Sequence, residues 1–198
     1  MVAILIVDNT TPGLSEFTPQ LIAFFEQHSE VSVVSTYLQT KKAIETLRFD
    51  GIVLSGSSET FSKSVNPEIV HMNEIALQVR VPILGICFGM QVMAIVYGGA
   101  VGTLGNVCSG VREVKVLCST LFERNATIVT RHEHLDGVEQ LPPLFCTTAY
   151  TGDTSSTIVA FENKTLGRFG VQFHPEASPL NEQVLLNFIT YCSRFTNI

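Results

Sequence analysis

A cysteine becomes a catalyst when its thiolate is favoured and a base stands beside it. The 198-residue chain has five cysteines, and Cys87 alone sits in such a setting, inside "GICFGMQ" (85–91) after the apolar run "VPIL". A strand that ends in Gly-x-nucleophile-x-Gly and turns at once into a helix is a nucleophile elbow. Residues two away on either side must be small for strand and helix to pack, and Gly85 and Gly89 fill those places. The following helix turns its unpaired N–H groups and positive dipole end toward the sulfur, which favours thiolate. The N–H of Phe88 is then available as an oxyanion donor. With glycine at about 7% of residues, a given cysteine is flanked this way by chance roughly once in two hundred. Cys108, Cys118, Cys146 and Cys192 lack the setting and are expected to be packing residues.

The nucleophile needs a base, and the base needs orienting. Of the five histidines, His28 falls at a helix C-terminus and His71 in mid-helix, where solvated or half-buried rings are expected. His174 closes the strand-like "RFGVQF" and begins "HPE". Residues two apart in an extended segment project to one side, so Glu176 can reach one ring nitrogen of His174 while the other faces Cys87. Pro175 restricts the backbone between them. "HEH" (132–134) would put two imidazoles on one strand face, as a metal pair would. No third ligand is identifiable from spacing, so no metal or other cofactor is expected. "GSSETFSKS" (56–64) has no glycine at Walker spacing before Lys63, which argues against a phosphate loop.

These side chains need a scaffold. Apolar, β-branched runs at 2–7, 31–35, 51–56 and 81–86 read as buried strands. They alternate with helical patterns at 18–28, 41–49, 67–79 and 90–97, with Thr18 as N-cap and Pro19 at the first helical position. That alternation predicts an α/β fold with a largely parallel central sheet flanked by helices. After Gly99, strands at 111–117, 126–130, 145–150, 156–161 and 168–173 predict an antiparallel extension, and 181–195 a closing helix. A single domain over 1–198 is expected.

Composition narrows the function classes. Hydrophobic residues make up 45% and charged residues 15%, enough apolar material for a sizeable core. A net charge of −6 without a Lys/Arg cluster argues against a nucleic-acid partner. The apolar run at 2–7 stops at Asp8 and lacks a basic leader, so no secretory leader or membrane partner is expected. Odd, scattered cysteines without CxxC spacing suit a cytoplasmic protein.

With Gly85-x-Cys87-x-Gly89-x-Gln91 and His174-Pro175-Glu176, the sequence resembles the class I (triad) glutamine amidotransferases, over nearly the whole chain. The resemblance implies their flavodoxin-like fold and a glutaminase. Cys87 attacks the side-chain amide of L-glutamine, His174 moves the proton, Glu176 orients His174, and a γ-glutamyl thioester is then hydrolysed. It further implies an oxyanion hole from Phe88 and the loop at Gly56 and Ser57, and substrate contacts from Gly89, Gln91, His134 and Asp136. Within the family, "EHLDGVEQLP" (133–142) resembles the glutaminase subunit of GMP synthetase, a purine-biosynthesis branch. The implied partner is a separate ATP-dependent synthetase that takes the ammonia. The alternatives are the glutaminase component of anthranilate or aminodeoxychorismate synthase, a free-standing γ-glutamyl hydrolase, and a catalytically weak regulatory homologue. The last is motivated by "LSGSSET", where Ser57 and Ser58 replace the family's Gly and Pro. If Ser57 needs positive φ, its side chain is strained and the hole weakened.

Overall fold

The computed structural model describes residues 1–10, 17–152 and 157–195. Its first half alternates β1 (Ala3–Val7), α1 (Thr18–His28), β2 (Glu30–Val34), α2 (Tyr37–Thr46), β3 (Gly51–Leu54), α3 (Pro67–Leu77), β4 (Ile83–Ile86) and α4 (Phe88–Val96). The second half holds β5 (Ala100–Val116), β6 (Thr127–Gln140), β7 (Cys146–Thr151), β8 (Ile158–Asn163), β9 (Arg168–Val171) and α5 (Glu182–Cys192). One mixed sheet runs β2-β1-β3-β4-β9-β8-β6-β5-β7. Its first five strands are parallel and the rest antiparallel. β7 also pairs with β8, so β8, β6, β5 and β7 close on one another in a ring.

The parallel strands bury both faces, which explains their unbroken apolar sequence. In β1, Ile4 and Ile6 join Leu21, Phe25, Leu185 and Phe188 of α1 and α5. Leu5 and Val7 point the other way, toward Ala43, Met72, Ala76 and Met93 of α2, α3 and α4. The helices thus form one layer on each side of the sheet.

Several expected boundaries move. The sequence predicts 168–173 as part of the antiparallel extension, but β9 pairs with β4 in parallel and with β8 antiparallel. It is the seam between the two halves. The residue before α1 is Phe17, not Thr18, and among the described residues no side chain caps that end. α2 begins four residues before the expected Lys41 because the Thr36 hydroxyl caps it, accepting from the Gln39 N–H at 3.3 Å. β5 and β6 run far past 111–117 and 126–130 as a long two-stranded arm. Cys118 and Cys146 are exposed, contrary to the packing role expected of them, whereas Cys192 is buried.

At the seam, the buried guanidinium of Arg168 donates to the carbonyls of Leu77, Val79, Val81 and Leu166 and to the Tyr97 hydroxyl, at 2.6–3.1 Å. It closes the C-terminal end of α3, where helix carbonyls lack partners. Arg168→Met is expected to lower unfolding free energy in urea by about 3 kcal/mol or more. A loss under about 1 kcal/mol would show those carbonyls finding other partners.

Candidate active site

β4 ends at Ile86 and α4 starts at Phe88, so Cys87 alone makes the turn. Its backbone is at φ 50°, ψ −104°, a region side-chain-bearing residues rarely occupy. The glycines permit this. A Cβ on Gly85 would lie 2.6 Å from the Gly89 carbonyl carbon, and one on Gly89 would collide with the Leu54 carbonyl of β3. The Cys87 N–H donates to the Val171 carbonyl at 2.7 Å, tying the elbow to β9. Phe88 is the first residue of α4, so its N–H has no acceptor within the helix. Its ring stacks on Phe61, with centroids 5.2 Å apart.

His174 follows β9 by three residues and is itself extended, at φ −102°. Glu176 lies in a 3-10 turn, Pro175–Ala177, rather than in the continued strand the two-residue spacing assumed. The turn still delivers the contact: His174 Nδ1 and Glu176 Oε1 are 2.9 Å apart, both side chains buried. The main-chain N–H of His174 donates to the Arg131 carbonyl of β6 at 2.9 Å, and Phe17 packs on the ring. Burial by itself would lower the His174 pKa. The Cys87 sulfur, by charge and a hydrogen bond, and then Glu176 outweigh burial and push it up to about 10. The structure therefore brings Cys87, His174 and Glu176 together in one buried line.

The loop after β3 lies over this line, and a Cβ on Gly56 would stand 2.8 Å from His174 Cε1 and 3.6 Å from Cys87 Cβ. The Ser55 hydroxyl donates to the Gly56 carbonyl at 2.9 Å, which turns the Ser57 N–H of the same planar peptide to the opposite side. The expected strain is not there. Ser57 is not among the residues with positive φ, and its hydroxyl accepts from the Glu59 N–H at 3.1 Å in a local turn. Ser57→Gly is therefore expected to leave kcat/KM within about threefold of wild type, since no strain is relieved. A tenfold gain would show that the serine impairs the hole.

A cavity of about 210 Å³ opens on the sulfur, lined by Ser57, Cys87, Gln91, His134 and Asp136 among others. That is below the roughly 300–1,000 Å³ of sites for drug-sized ligands and suits a single amino acid. Asp136 accepts from the Ser62 N–H at 3.0 Å through Oδ2, holding the loop against β6, while its buried Oδ1 has no partner among the described residues. Gln91 spends its amide N–H groups on the Asp136 carbonyl (2.9 Å) and Gln172 Oε1 (3.2 Å). His134 has both ring nitrogens engaged, with His132 at 3.1 Å and the Asp136 carbonyl at 2.9 Å. Burial lowers its pKa, against the opposing effect of that carbonyl. Gly89 touches β3 and does not line the cavity.

Two groups escape sequence reasoning. Gln172 is fully buried, with its amide nitrogen 3.5 Å from Cys87 Sγ. The alternation that pairs residues 174 and 176 also includes 172, and was the available signal. A buried Asn9–Ser55–Asn73 network locks the loop after β1 to the loop after β3. No local pattern announces it.

The profile of the family "Glutamine amidotransferase class-I" matches residues 15–191. The chain belongs to the class-I glutamine amidotransferase family. Similar proteins include GMP synthase [glutamine-hydrolyzing] of Borreliella burgdorferi, 31% identical over 79% of this chain and 30% of that protein. The Rippkaea orientalis protein of the same name is 35% identical over 79% of this chain and 29% of its own length. This amidotransferase chain thus spans about 30% of the curated relatives it matches. Among solved structures, a protein described as a GMP synthase subunit from Thermoplasma acidophilum superposes with TM-score 0.80 at 24% identity, over 98% of this chain and 94% of that one. The glutaminase domain of Trypanosoma brucei CTPS, holding acivicin, gives 0.74 at 18% identity, over 100% and 96%. At those identities the likeness is one of fold. Among the described residues, no helix of this amidotransferase is long and apolar enough to cross a membrane.

Proposed function

We propose that this amidotransferase hydrolyses L-glutamine through Cys87, His174 and Glu176 and delivers ammonia to a separate ATP-dependent synthetase of the GMP synthetase type. The observation that carries the reading is the buried Cys87–His174–Glu176 line opening on an amino-acid-sized cavity. His174 takes the thiol proton, and Cys87 Sγ attacks the substrate's side-chain carbonyl carbon. The oxyanion is met by the Phe88 N–H and the loop at Gly56 and Ser57. Such a donor contributes about 3 kcal/mol, because charge develops there only in the transition state. Protonated His174 passes its proton to the departing nitrogen, and ammonia leaves. Water, deprotonated by His174, then cleaves the γ-glutamyl thioester and releases glutamate.

The lining carries both signs of charge, Lys63 against Glu59, Glu133 and Asp136, which suits a zwitterionic amino acid. The Asp136 Oδ1, without a partner among the described residues, supports a contact with the substrate ammonium. Gln91 and His134 act there by shaping the wall, and Gly89 by letting α4 approach β3. The Thermoplasma neighbour is itself described as one subunit of a synthase and is matched over 94% of its length, which supports a separate partner. The parallel half, in the order β2-β1-β3-β4-β9, supports the flavodoxin-like description. One continuous sheet supports reading 1–198 as a single domain. Five free cysteines suit a reducing cytoplasm.

The test is ammonia release from L-glutamine by the chain alone and mixed with a GMP-type synthetase, its ATP and its acceptor nucleotide. Glutamine-dependent amination of the acceptor that needs both proteins is the expected result. Hydrolysis at an unchanged rate, with no amination, would leave a free-standing amidase instead.

A further inference from the structure

The face of β6 that carries His134 also carries Thr130 and His132, because residues two apart share a side of a strand. All three are buried, His132 completely. Thr130 Oγ1 stands 2.9 Å from His132 Nε2, His132 Nδ1 stands 3.1 Å from His134 Nε2, and His134 Nδ1 donates to the Asp136 carbonyl at 2.9 Å. Opposite, β5 breaks register: Thr103 pairs with Asp136, but Cys108 pairs with His134. Residues 104–107 are pushed out as a bulge, and Cys108 re-enters the ladder directly across from His134. The Cys108 sulfur and one nitrogen from each imidazole all lie within 4.8 Å of one another.

We infer that Cys108, His132 and His134 form a binding site for a borderline-soft transition-metal ion, zinc first. A thiolate and two neutral imidazoles are a zinc donor set. At tetrahedral zinc, with bonds of about 2.0–2.3 Å, such donors stand about 3.3–3.6 Å apart. The two imidazole nitrogens are close to that separation already. The sulfur, within 4.8 Å of both, needs a shift of at most roughly 1.5 Å to reach it, and it sits at the end of the bulge.

The nitrogens not offered to the metal have outer partners, as in established zinc–histidine sites. A carbonyl can only accept, so His134 carries its proton on Nδ1 and presents a bare Nε2. For His132 the Thr130 hydroxyl serves either tautomer. It donates to Nε2 when His132 Nδ1–H bonds to His134, and accepts from Nε2–H when a metal takes Nδ1. In the second case its own proton is free to turn to the Arg112 carbonyl at 3.5 Å. Three protein ligands leave a fourth position for water. An ion here would pin the β6 segment whose Glu133 carbonyl stands 3.8 Å from Cys87 Sγ, so the site lies directly behind the cavity wall. The inference does not depend on the glutamine chemistry.

The test uses the full chain as Cys87→Ser, so that the proposed nucleophile cannot act as a ligand. Cobalt(II) titration is expected to give a thiolate-to-cobalt charge-transfer band that saturates at one equivalent and is bleached by zinc. Cys108→Ser and His132→Gln should each remove the band and weaken binding by on the order of 100-fold or more, while Cys118→Ser keeps it. Absence of the band, or a band that survives Cys108→Ser, overturns the site. Because His132 is wholly buried and its variant can fail to fold, alkylation supplies a second readout. Saturating zinc should protect Cys108 from iodoacetamide while Cys118 and Cys146 stay reactive, and equal labelling of Cys108 with and without zinc overturns the site as well.

Discussion

Cys87→Ser is expected to cut ammonia release from glutamine by on the order of 10⁴–10⁶, to near the uncatalysed background. The size follows from the role. Without the thiolate there is no thioester, and the remaining donors can only stabilise attack by water. The substitution changes one atom and leaves the elbow's anchor, the Cys87 N–H to the Val171 carbonyl at 2.7 Å, in place. The unfolding midpoint in urea should therefore move little. Activity that survives at a tenth of wild type would remove the thiol from the reaction, and a collapse of the fold would make the result uninterpretable as chemistry. Cys87→Ala guards against the second case, since alanine occupies the same turn with no polar atom.

Glu176→Gln is expected to lower kcat by about 10⁴, the loss seen when the orienting acid of a triad is replaced by its amide. Its Oε1, 2.9 Å from His174 Nδ1, selects the tautomer that presents Nε2 to the thiol and stabilises the imidazolium. The pH profile carries a second signature. Against the lowering effect of burial, Cys87 and then Glu176 raise the His174 pKa to about 10. A raised pKa keeps the ring protonated through neutral pH and loses the proton only as pH climbs toward that value. Expulsion of ammonia needs that proton, so kcat/KM should hold through neutral pH and fall near pH 10. Removing the Glu176 charge removes a raising influence, and the alkaline limb should move down. A limb that stays in place in Glu176→Gln would show that the carboxylate only packs.

What was legible in the sequence was whatever short-range geometry forces. Gly85 and Gly89 are diagnostic because a Cβ at either meets backbone packed against the strand–helix junction, and that constraint is written at fixed offsets from the cysteine. The His174–Glu176 pair was legible for a similar reason, although a 3-10 turn rather than a strand supplies the contact. The two-sided burial of β1 showed in its unbroken apolar run. Less legible were features whose cause lies far along the chain. Gln172 meets Gln91 across 81 positions, and Asn73 meets Asn9 across 64, so neither partner marks the other locally. The part of β5 before residue 111 escaped because glycines and exposed polar residues break its alternation, while its pairing with β6 supplies the order. Cys108 looked like packing for the same reason. Its register opposite His134 exists only after the bulge is formed. Ser57 shows the opposite error, in which a family pattern suggested strain that the local serine turn avoids.

The most direct test of the central claim is to treat the folded protein with an electrophilic glutamine analogue and map the adduct by mass spectrometry. A nucleophile activated by His174 should give a single stoichiometric adduct on Cys87, slowed by excess L-glutamine and lost in His174→Asn. An unlabelled Cys87 in protein that still releases ammonia, or labelling shared indifferently with the exposed Cys118 and Cys146, would contradict it.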